Sequence, residues 1–395
     1  MADQLPGDVA ALTEETLLAR LEAMVPALRE RAAETESLRH VPEETMIEAR
    51  RSGFIYAFKP KYYGGSGLGL SALANGARTL AHGCASSAWT LVFLAQHVWG
   101  FGKTAHYVQD QMLSGETPAM MAGALARVGR AEQVEGGFRV SGRSDWNSGI
   151  YHADWAALNA RVGDQLYTFY LPTKELDIED MWHTSGMRGT HSTTFEARDI
   201  FVPDALAVPM KNLTGKVVVD ERHKDEPFVH YPYLPTVAIT CSSVIVGAAE
   251  AAVEHFEHVI KTRTLAFSGD TKQVEQPFAQ MRLGEARLKM RMARESWDSF
   301  IRKMDAVCGN GEQLSIAERV AIRGGCALVA QTCRDLVNSI MNAAGGSSYY
   351  LTSPMQRIQR DIEVMKSHAF FDWDRCAQLE GRVTLGFPPA PTDLL

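Results

Sequence analysis

The sequence predicts an α+β fold that is mostly α-helical, in the order helical domain, antiparallel β domain and four-helix bundle. Three observations support this prediction. Residues 1–117 repeat apolar side chains at intervals of three and four, which indicates amphipathic helices. Residues 118–219 contain short alternating segments separated by Gly and Pro, which is typical of strands. Residues 220–395 return to the helical pattern in segments longer than twenty residues.

The N-terminal domain is predicted to consist of helices joined by glycine-containing turns. The segment "LLARLEAMVPALRERAAETESLR" has helical spacing, and "PEETMIEARRSG" begins with Pro and ends at Gly53, as short helices do. A glycine-rich loop, "KPKYYGGSGLGLS", follows them. The run "SALANGARTLAHGCASSAWTLVFLAQHVWGFG" then predicts a helix of small residues and a buried helix, before a last helix in "TAHYVQDQMLSG".

The middle and C-terminal domains differ in the length of their predicted elements. The segments "GFRVSG", "WAALNARV", "QLYTFYLP" and "TFEARDIFVP" have the length and the β-branched or aromatic content of strands. Farther along, the pattern predicts four long helices, at 236–263, 273–305, 315–345 and 354–382. Long helices with short connections pack antiparallel, so they predict a four-helix bundle.

Composition and charge exclude several classes of protein. The net charge is −7 at pH 7 and no block of Lys or Arg occurs, so we expect no nucleic-acid partner. The N-terminus lacks the features of a signal peptide, and the most apolar window, 235–253, is too polar for a membrane span. Six scattered cysteines favour free thiols in the cytoplasm. His255 and His258 share a helix face but lack a third ligand, so no metal site is predicted.

Five motifs resemble, in the same order, those of the acyl-CoA dehydrogenase superfamily over essentially the whole chain. They are "KPKYYGGSGLGLS", "GFRVSGRSDWNSGIYHADWAAL", "MRGTHSTTFEARDIFVP", "KTRTLAFSG" with "VEQPFAQMRLGEARLKM", and "NAAGGSSYYLTSPMQRIQRD". The resemblance implies an acyl-CoA dehydrogenase-like fold and a bound flavin.

The turn "SDWNSG" (144–149) is the segment that the resemblance places against the flavin ring. An indole such as Trp146 would pack on the ring system, while the Ser148 hydroxyl and backbone N–H groups would bind N5 or the pyrimidine edge. Gly149 would permit close approach of the backbone. Arg263 and Gln276 would contact the pyrophosphate and ribityl side, often across a subunit interface, as in the homotetramers of this superfamily. The resemblance implies four further cofactor contacts: Asn147, Phe267, Gly345 and Gly346.

One departure separates this chain from the dehydrogenases that it resembles. Such dehydrogenases need a carboxylate base to take the α-proton of the substrate. In "QRDIEVMKSHAFFDWDR" the usual position of that base falls near His368, and no Glu is there. A His at this point and a Ser in the flavin turn resemble the two-component, flavin-dependent monooxygenases of this fold. The resemblance implies that His368 and Ser148 are catalytic, and that His97, Trp99 and Phe371 line the substrate pocket.

This branch of the superfamily implies a particular chemistry and particular partners. The chain would be an oxygenase component that receives reduced FMN or FAD from a separate NAD(P)H-dependent flavin reductase. Reaction with O₂ through a C4a-hydroperoxyflavin would hydroxylate a small aromatic molecule, whether phenolic, indolic or polyketide-like. The sequence has no recognisable NAD(P)H-binding motif, which fits an external source of reduced flavin. An imidazole, with an ordinary pKa of about 6.5, can move the proton that such a reaction needs.

Two other interpretations stay open at this level. Glu250, Glu254 and Glu257 lie on the first predicted helix of the bundle, where an acyl-CoA dehydrogenase or oxidase with FAD could place its base. The other alternative is a non-enzymatic protein of this fold that acts through an interaction surface. Neither the identity of the substrate nor the choice between FMN and FAD follows from the sequence.

Overall fold

The N-terminal part of the computed structural model is helical, as predicted; the structure describes residues 9–125, 127–214, 220–265, 269–390, 393 and 395. The first five helices are α1 (Glu14–Leu38), α2 (Glu43–Ser52), α3 (Leu70–Ala81), α4 (Ala85–Phe101) and α5 (His106–Leu113). A capping box of Thr13 and Thr16 starts α1. Every residue of α4 is buried, so this helix contacts other parts of the molecule on all its faces.

The middle part forms one sheet in the spatial order β6-β7-β3-β2-β4-β5-β8, with β1 beside β4. The strands are β1 (Met121–Gly123), β2 (Gly129–Val134), β3 (Gly137–Asn147), β4 (Trp155–Val162), β5 (Gln165–Pro172), β6 (Asp177–Glu179), β7 (Thr193–Pro203) and β8 (Ala207–Pro209). The sheet is mixed rather than purely antiparallel, because β1 and β2 both pair parallel with β4. Strand β1 pairs with the first part of β4. The chain then continues into β2, which pairs with the last part of β4 in the same direction.

The C-terminal part is a helical bundle whose fourth predicted helix is broken. After α6 (Met210–Thr214) come α7 (Tyr233–Thr262), α8 (Pro277–Cys308), α9 (Ile316–Ala344), α10 (Pro354–Met365) and α11 (Trp373–Thr384). The prediction of one helix over 354–382 is wrong at 366–372. There, His368 has extended backbone angles and its ring accepts the Phe370 N–H, while Asp372 caps α11. The break turns the backbone at His368 out of the helix.

Helix α7 is the central helix of the bundle and packs against α3, α4, α8 and α9. Among the described residues it is the one helix long and apolar enough to cross a membrane, and 94% of its most apolar window is buried inside the molecule. This burial agrees with the prediction of a core helix at 235–253. All six cysteines are buried free thiols. The predicted boundary at 219–220 adjoins residues 215–219, which lie outside the described residues, so the division into three domains stays a prediction.

Candidate active site

A cavity of about 970 Å³ lies between α4, the sheet and the segment 364–374. This volume is at the upper end of the roughly 300–1,000 Å³ that is typical of small-molecule sites, so it has room for two ring systems. One wall comes from residues of α4 that share a helix face: Trp89, Phe93, His97 and Gly100. Strands β4 and β5 and the segment 182–192 supply other walls.

At the end of β3, the side chains of Trp146 and Asn147 point to different surroundings. Trp146 has φ +64°, and its indole, 60% exposed, lines the cavity. Asn147 is fully buried: its amide N–H groups donate to the carbonyls of Ser144 and Thr193, and its oxygen accepts the Ser144 hydroxyl. These bonds hold the strained backbone at Trp146 in place. The Asn147 side chain does not line the cavity, so its predicted cofactor contact stays a prediction.

Ser148 belongs to a chain of hydroxyl groups along the cavity wall. Its Oγ accepts the indole N–H of Trp89 at 3.1 Å and lies 2.7 Å from Ser192 Oγ. Ser192 Oγ is in turn 2.6 Å from Thr190 Oγ1, which donates to the Met187 carbonyl at 2.9 Å. An indole N–H can only donate, so Ser148 is fixed as an acceptor toward Trp89. Because Thr190 uses its proton on Met187, Ser192 donates to Thr190 and Ser148 donates to Ser192, which leaves Ser148 a lone pair to offer to the cavity.

His368 lies on the break between α10 and α11 and lines the cavity. Its ring centroid is 5.6 Å from that of Trp89, and its Nδ1 accepts the Phe370 backbone N–H at 3.4 Å. Burial lowers the pKa of His368 to about 4, so the ring is neutral near pH 7. A neutral imidazole whose Nδ1 is an acceptor carries its proton on Nε2. His368 is therefore a hydrogen-bond donor at Nε2.

His97 is the second imidazole of the cavity, and its proton is on the other ring nitrogen, Nδ1. It is 5% exposed, and its Nδ1 donates to the Met121 carbonyl at 2.6 Å. Burial lowers the pKa of His97 to about 4, so this ring is also neutral. Its Nε2 carries a lone pair and has no hydrogen-bond partner among the described residues. The ring of Phe93 lies 6.1 Å from that of His97 and 6.4 Å from that of His368, so it contacts both imidazoles.

The other two predicted pocket residues have different positions. Phe371 is buried, lines the cavity and lies 6.2 Å from His368 between ring centroids. Trp99 does not line the cavity: its N–H donates to the Phe228 carbonyl at 2.9 Å, and its ring stacks on Tyr233 at 5.7 Å. Trp99 follows His97 by two residues, about half a helical turn, and so points to another side of α4. The structure therefore does not bring Trp99 to the cavity together with His97, and its predicted contact with the substrate stays a prediction.

Arg263 and Gly345 lie next to one another, away from the cavity. The Arg263 guanidinium donates to the carbonyl of Ala344, the last residue of α9, and occupies the space that a side chain at Gly345 would need. Gly345 has φ +76°, which favours glycine as well. A cation at this position also balances the negative end of the α9 dipole. Arg263 thus has a structural contact here, and its predicted contact with the pyrophosphate stays a prediction.

The remaining predicted cofactor contacts are near the same loop. Gln276 is the N-cap residue of α8. Gln273 is the glutamine that binds the loop, because its amide donates to the Ala343 carbonyl at 2.9 Å. Phe267 lies outside the described residues. None of the described residues of this group borders the cavity: Arg263, Gln276, Gly345 and Gly346.

The three glutamates of α7 are held in ion pairs, and none of them lines the cavity. Glu250 lies 2.6 Å from Arg78 and 2.9 Å from His82. Although burial opposes it, these two partners lower the pKa of Glu250 to about 2. Glu254 lies 3.8 Å from His82, and Glu257 pairs with lysine and arginine side chains. These carboxylates are ionised and do not line the cavity. They therefore give no support to a catalytic base of a dehydrogenase on α7.

Arg360 and Asp361 anchor the segment 182–192 to the bundle, a role that the sequence did not predict. The Asp361 carboxylate accepts the Met187 N–H at 2.5 Å, and Arg360 donates to the Ser185 carbonyl at 2.5 Å. Burial raises the pKa of Asp361 to about 6. The anchored segment supplies four residues to the cavity: Trp182, Met187, Thr190 and Ser192.

Two other cavity residues, Trp89 and Phe93, were missed although the sequence contained a signal for them. They precede His97 by eight and four residues on α4, so they share its helix face. A pocket position for His97 therefore implies the same for both. Ser192 had no such signal, because the contact with Ser148 joins two turns far apart in the chain.

Comparisons with known proteins agree with this geometry. The family model "Acyl-CoA dehydrogenase, N-terminal domain" matches residues 14–123, and "Acyl-CoA dehydrogenase, C-terminal domain" matches residues 239–373. The chain is 31% identical over 382 residues to a pigment production hydroxylase of Rhodococcus sp. (strain ATCC 21145), which covers 95% of this chain and 98% of the relative. It is 29% identical over 388 residues to the oxygenase component of p-hydroxyphenylacetate 3-hydroxylase of Acinetobacter baumannii, covering 95% and 90%.

A solved structure has the same fold. XiaF from Streptomyces sp., in complex with FADH2 and glycerol, matches with a TM-score of 0.90 and 26% identity, covering 97% of this chain and 98% of that one. This chain therefore belongs to the acyl-CoA dehydrogenase superfamily, in its branch of flavin-dependent monooxygenases. The predicted family and fold are confirmed, and the protein is an enzyme of that class.

Proposed function

We propose that this chain is the oxygenase component of a two-component monooxygenase that hydroxylates a small aromatic molecule. It receives reduced FMN or FAD from a separate NAD(P)H-dependent flavin reductase and uses O₂ as co-substrate. The observation that carries the proposal is the pair of neutral imidazoles, His368 as donor and His97 as acceptor, in a cavity that also contains the Trp146 turn. The relatives named as oxygenase components support an external source of reduced flavin.

The residues of this turn fit a flavin ring. The indole of Trp146 offers a flat, exposed apolar surface for a planar ring to cover. Ser148 offers a hydroxyl whose other hydrogen bonds already fix its position. Gly149 has φ +78°, and a Cβ there would lie 3.2 Å from Thr90 Cγ2, so glycine keeps this turn close to α4. The flavin, when bound, supplies the electrons that activate O₂.

His368 is the residue that we assign to proton transfer at the reacting atoms. It donates a hydrogen bond from Nε2 to the oxygen atom that is transferred, and it passes that proton on as its Nδ1 takes up another, so that the ring stays neutral. His97 Nε2 accepts a hydrogen bond from a hydroxyl group of the substrate. The rings of Phe93 and Phe371 exclude water, which strengthens both hydrogen bonds.

The proposal is tested by mixing the protein with chemically reduced FMN or FAD, O₂ and a panel of phenols and indoles. We expect hydroxylated product, a transient absorbance before oxidised flavin appears, and tighter binding of reduced than of oxidised flavin. The same mixture without protein is the control for direct oxidation of flavin. Tightly bound FAD that an acyl-CoA reduces directly, with no hydroxylated product, would contradict the proposal.

The assembly and location that we propose are a homotetramer in the cytoplasm. Helix α8 exposes four apolar side chains at helical spacing, Phe278, Met281, Leu288 and Met292, with exposed fractions of 55%, 62%, 60% and 72%. The loop with Arg263 is away from the cavity, as expected if it serves the site of another subunit. Buried free thiols fit a reducing compartment. A sedimentation mass equal to one chain at micromolar concentration would contradict the tetramer.

A further inference from the structure

Two tyrosine hydroxyls in the cavity have no assigned use. Tyr170 lies on β5 and Tyr233 is the first residue of α7, and both line the cavity. Neither hydroxyl has a hydrogen-bond partner among the described residues, and neither is among their fully enclosed polar atoms. Tyr170 is 3% exposed, so the space that reaches its hydroxyl is the cavity itself.

The two tyrosines line the same cavity and contact neighbouring residues of α4. Burial raises the pKa of Tyr170. Burial also raises the pKa of Tyr233 to about 12, so both groups are neutral donors at physiological pH. Trp99 stacks on Tyr233 at 5.7 Å, and Phe101 contacts Tyr170 edge-on at 5.7 Å. A Cβ at Gly100 would lie 3.4 Å from Tyr233 Cε2, so glycine leaves room for this ring.

Neighbouring polar groups of the same wall already have partners. Thr168 Oγ1 donates to Asn159 Oδ1 at 2.9 Å, and Asn159 Nδ2 donates to the Ala124 carbonyl at 3.1 Å. The hydrogen bonds of these side chains are made within the protein, so they do not indicate a ligand. The hydroxyls of Tyr170 and Tyr233 have no such partner among the described residues and open on the cavity, so both can donate to a polar group of the ligand.

Helix α4 gives the separation between this tyrosine pair and the reacting end. Trp89, near the start of α4, binds Ser148, while Gly100, near its end, contacts Tyr233. At 1.5 Å per residue these two positions are about 16 Å apart along the helix. With a flavin ring at the Ser148 end, the remaining length suits about two linked or fused rings.

We propose that Tyr170 and Tyr233 bind an oxygen atom at the far end of the substrate. The substrate is then an aromatic compound of at least two rings, with a hydroxyl or carbonyl group at the end opposite to the ring that is hydroxylated. The assignment of the reacting end rests on the proposed function. The binding of a distal oxygen by the tyrosine pair does not depend on it.

The test uses two symmetric ligands, 4,4′-dihydroxybiphenyl and biphenyl, titrated into the whole protein without O₂, with and without reduced flavin. Calorimetry measures their affinities. Tyr170→Phe and Tyr233→Phe should each weaken the binding of the diol about 2- to 12-fold and leave biphenyl unchanged. Both variants should keep the Tm of the wild type, because no hydrogen bond within the protein is lost. Tyr167→Phe is the matched control on β5: its hydroxyl bonds Gln165 at 3.3 Å outside the cavity, so neither affinity should change.

Three outcomes would overturn the proposal: an unchanged affinity for the diol in both variants, an equal loss of affinity for both ligands, or no binding of either ligand to the wild type. An equal loss would mean that the tyrosines contribute shape alone. The titration needs neither O₂ nor turnover. Its result is therefore independent of the hydroxylation test, and each proposal can fail without the other.

Discussion

Replacement of His368 separates proton transfer from hydrogen bonding in the cavity. His368→Asn keeps an acceptor close to the position of Nδ1, so the turn that begins at Ala369 retains its cap through the Phe370 N–H. His368→Gln instead places an amide N–H close to the position of Nε2, which keeps the donor but cannot exchange a proton. Both variants should fold, with a free energy of unfolding about 1–2 kcal/mol lower, because ring contacts with Trp89 and Phe370 are lost.

The two variants distinguish the possible roles by magnitude. General acid–base catalysis contributes about 10²–10⁴-fold, whereas a single neutral hydrogen bond contributes only about 2- to 12-fold. We assign proton transfer to His368, so both variants should lose product formation by at least about 100-fold. Reduced flavin should still be consumed, and H₂O₂ should appear in place of product. If His368 only donated a hydrogen bond, His368→Gln would stay within about tenfold of the wild type.

The assay measures hydroxylated product and H₂O₂ per flavin oxidised, after rapid mixing of reduced enzyme with O₂ and a phenol. His106→Asn is the matched control, because His106 is an exposed histidine at the start of α5. That variant should give the product yield of the wild type. Wild-type rate and yield in His368→Asn would refute the catalytic assignment, and His97 would then be the next candidate.

The loop anchor, the ion pairs of α7 and the second imidazole each give a further prediction. Asp361→Leu leaves the Met187 N–H buried without an acceptor, so chemical denaturation should show a loss of about 1–3 kcal/mol, and a smaller loss in Asp361→Asn, which keeps the acceptor. Although burial opposes it, Glu250 helps to raise the pKa of His82 to about 9; in Glu250→Gln an NMR titration should find a lower pKa, the Tm should fall, and hydroxylation should be unchanged. Burial lowers the pKa of His97 to about 4 from 6.5, so the unfolded chain takes up a proton first as the pH falls. Of the decline in stability between about pH 6.5 and 4, His97 should contribute about 2 kcal/mol at pH 5, so the decline should be smaller by that amount in His97→Asn; an equal decline in that variant would contradict the assignment to His97.

The parts of the site that the sequence predicted are those with a local pattern. His97 lies on an apolar helix, and Ser148 and His368 lie in motifs that resemble a family. Helical geometry also indicates that Trp99 lies on another side of α4 from His97, because the two residues are about half a turn apart. Where a pattern extends over neighbouring residues, spacing alone decides which side chains share a face.

The parts that the sequence did not predict depend on distant contacts. The Asn147 amide is buried because Trp146 has a left-handed backbone conformation and because Asn147 pairs with β7. No sequence pattern indicates either feature. The break at 366–372 lies in a segment that has helical spacing, and it forms because His368 and Asp372 cap new turns. Tyr170 lines the cavity beside Phe101 of α4, a contact between distant parts of the chain that strand alternation leaves undetermined.

The hydrogen bond from Met187 to Asp361 joins residues 174 positions apart in sequence. During synthesis, the strands and α4 leave the ribosome long before Asp361 does, and until then the segment 182–192 lacks its attachment. An incomplete chain therefore has the Ser148 turn but neither the closed wall nor His368. If the proposed function holds, such a chain lacks the groups that would enclose a flavin. The late position of this contact in the sequence then delays oxygen chemistry until the bundle has formed.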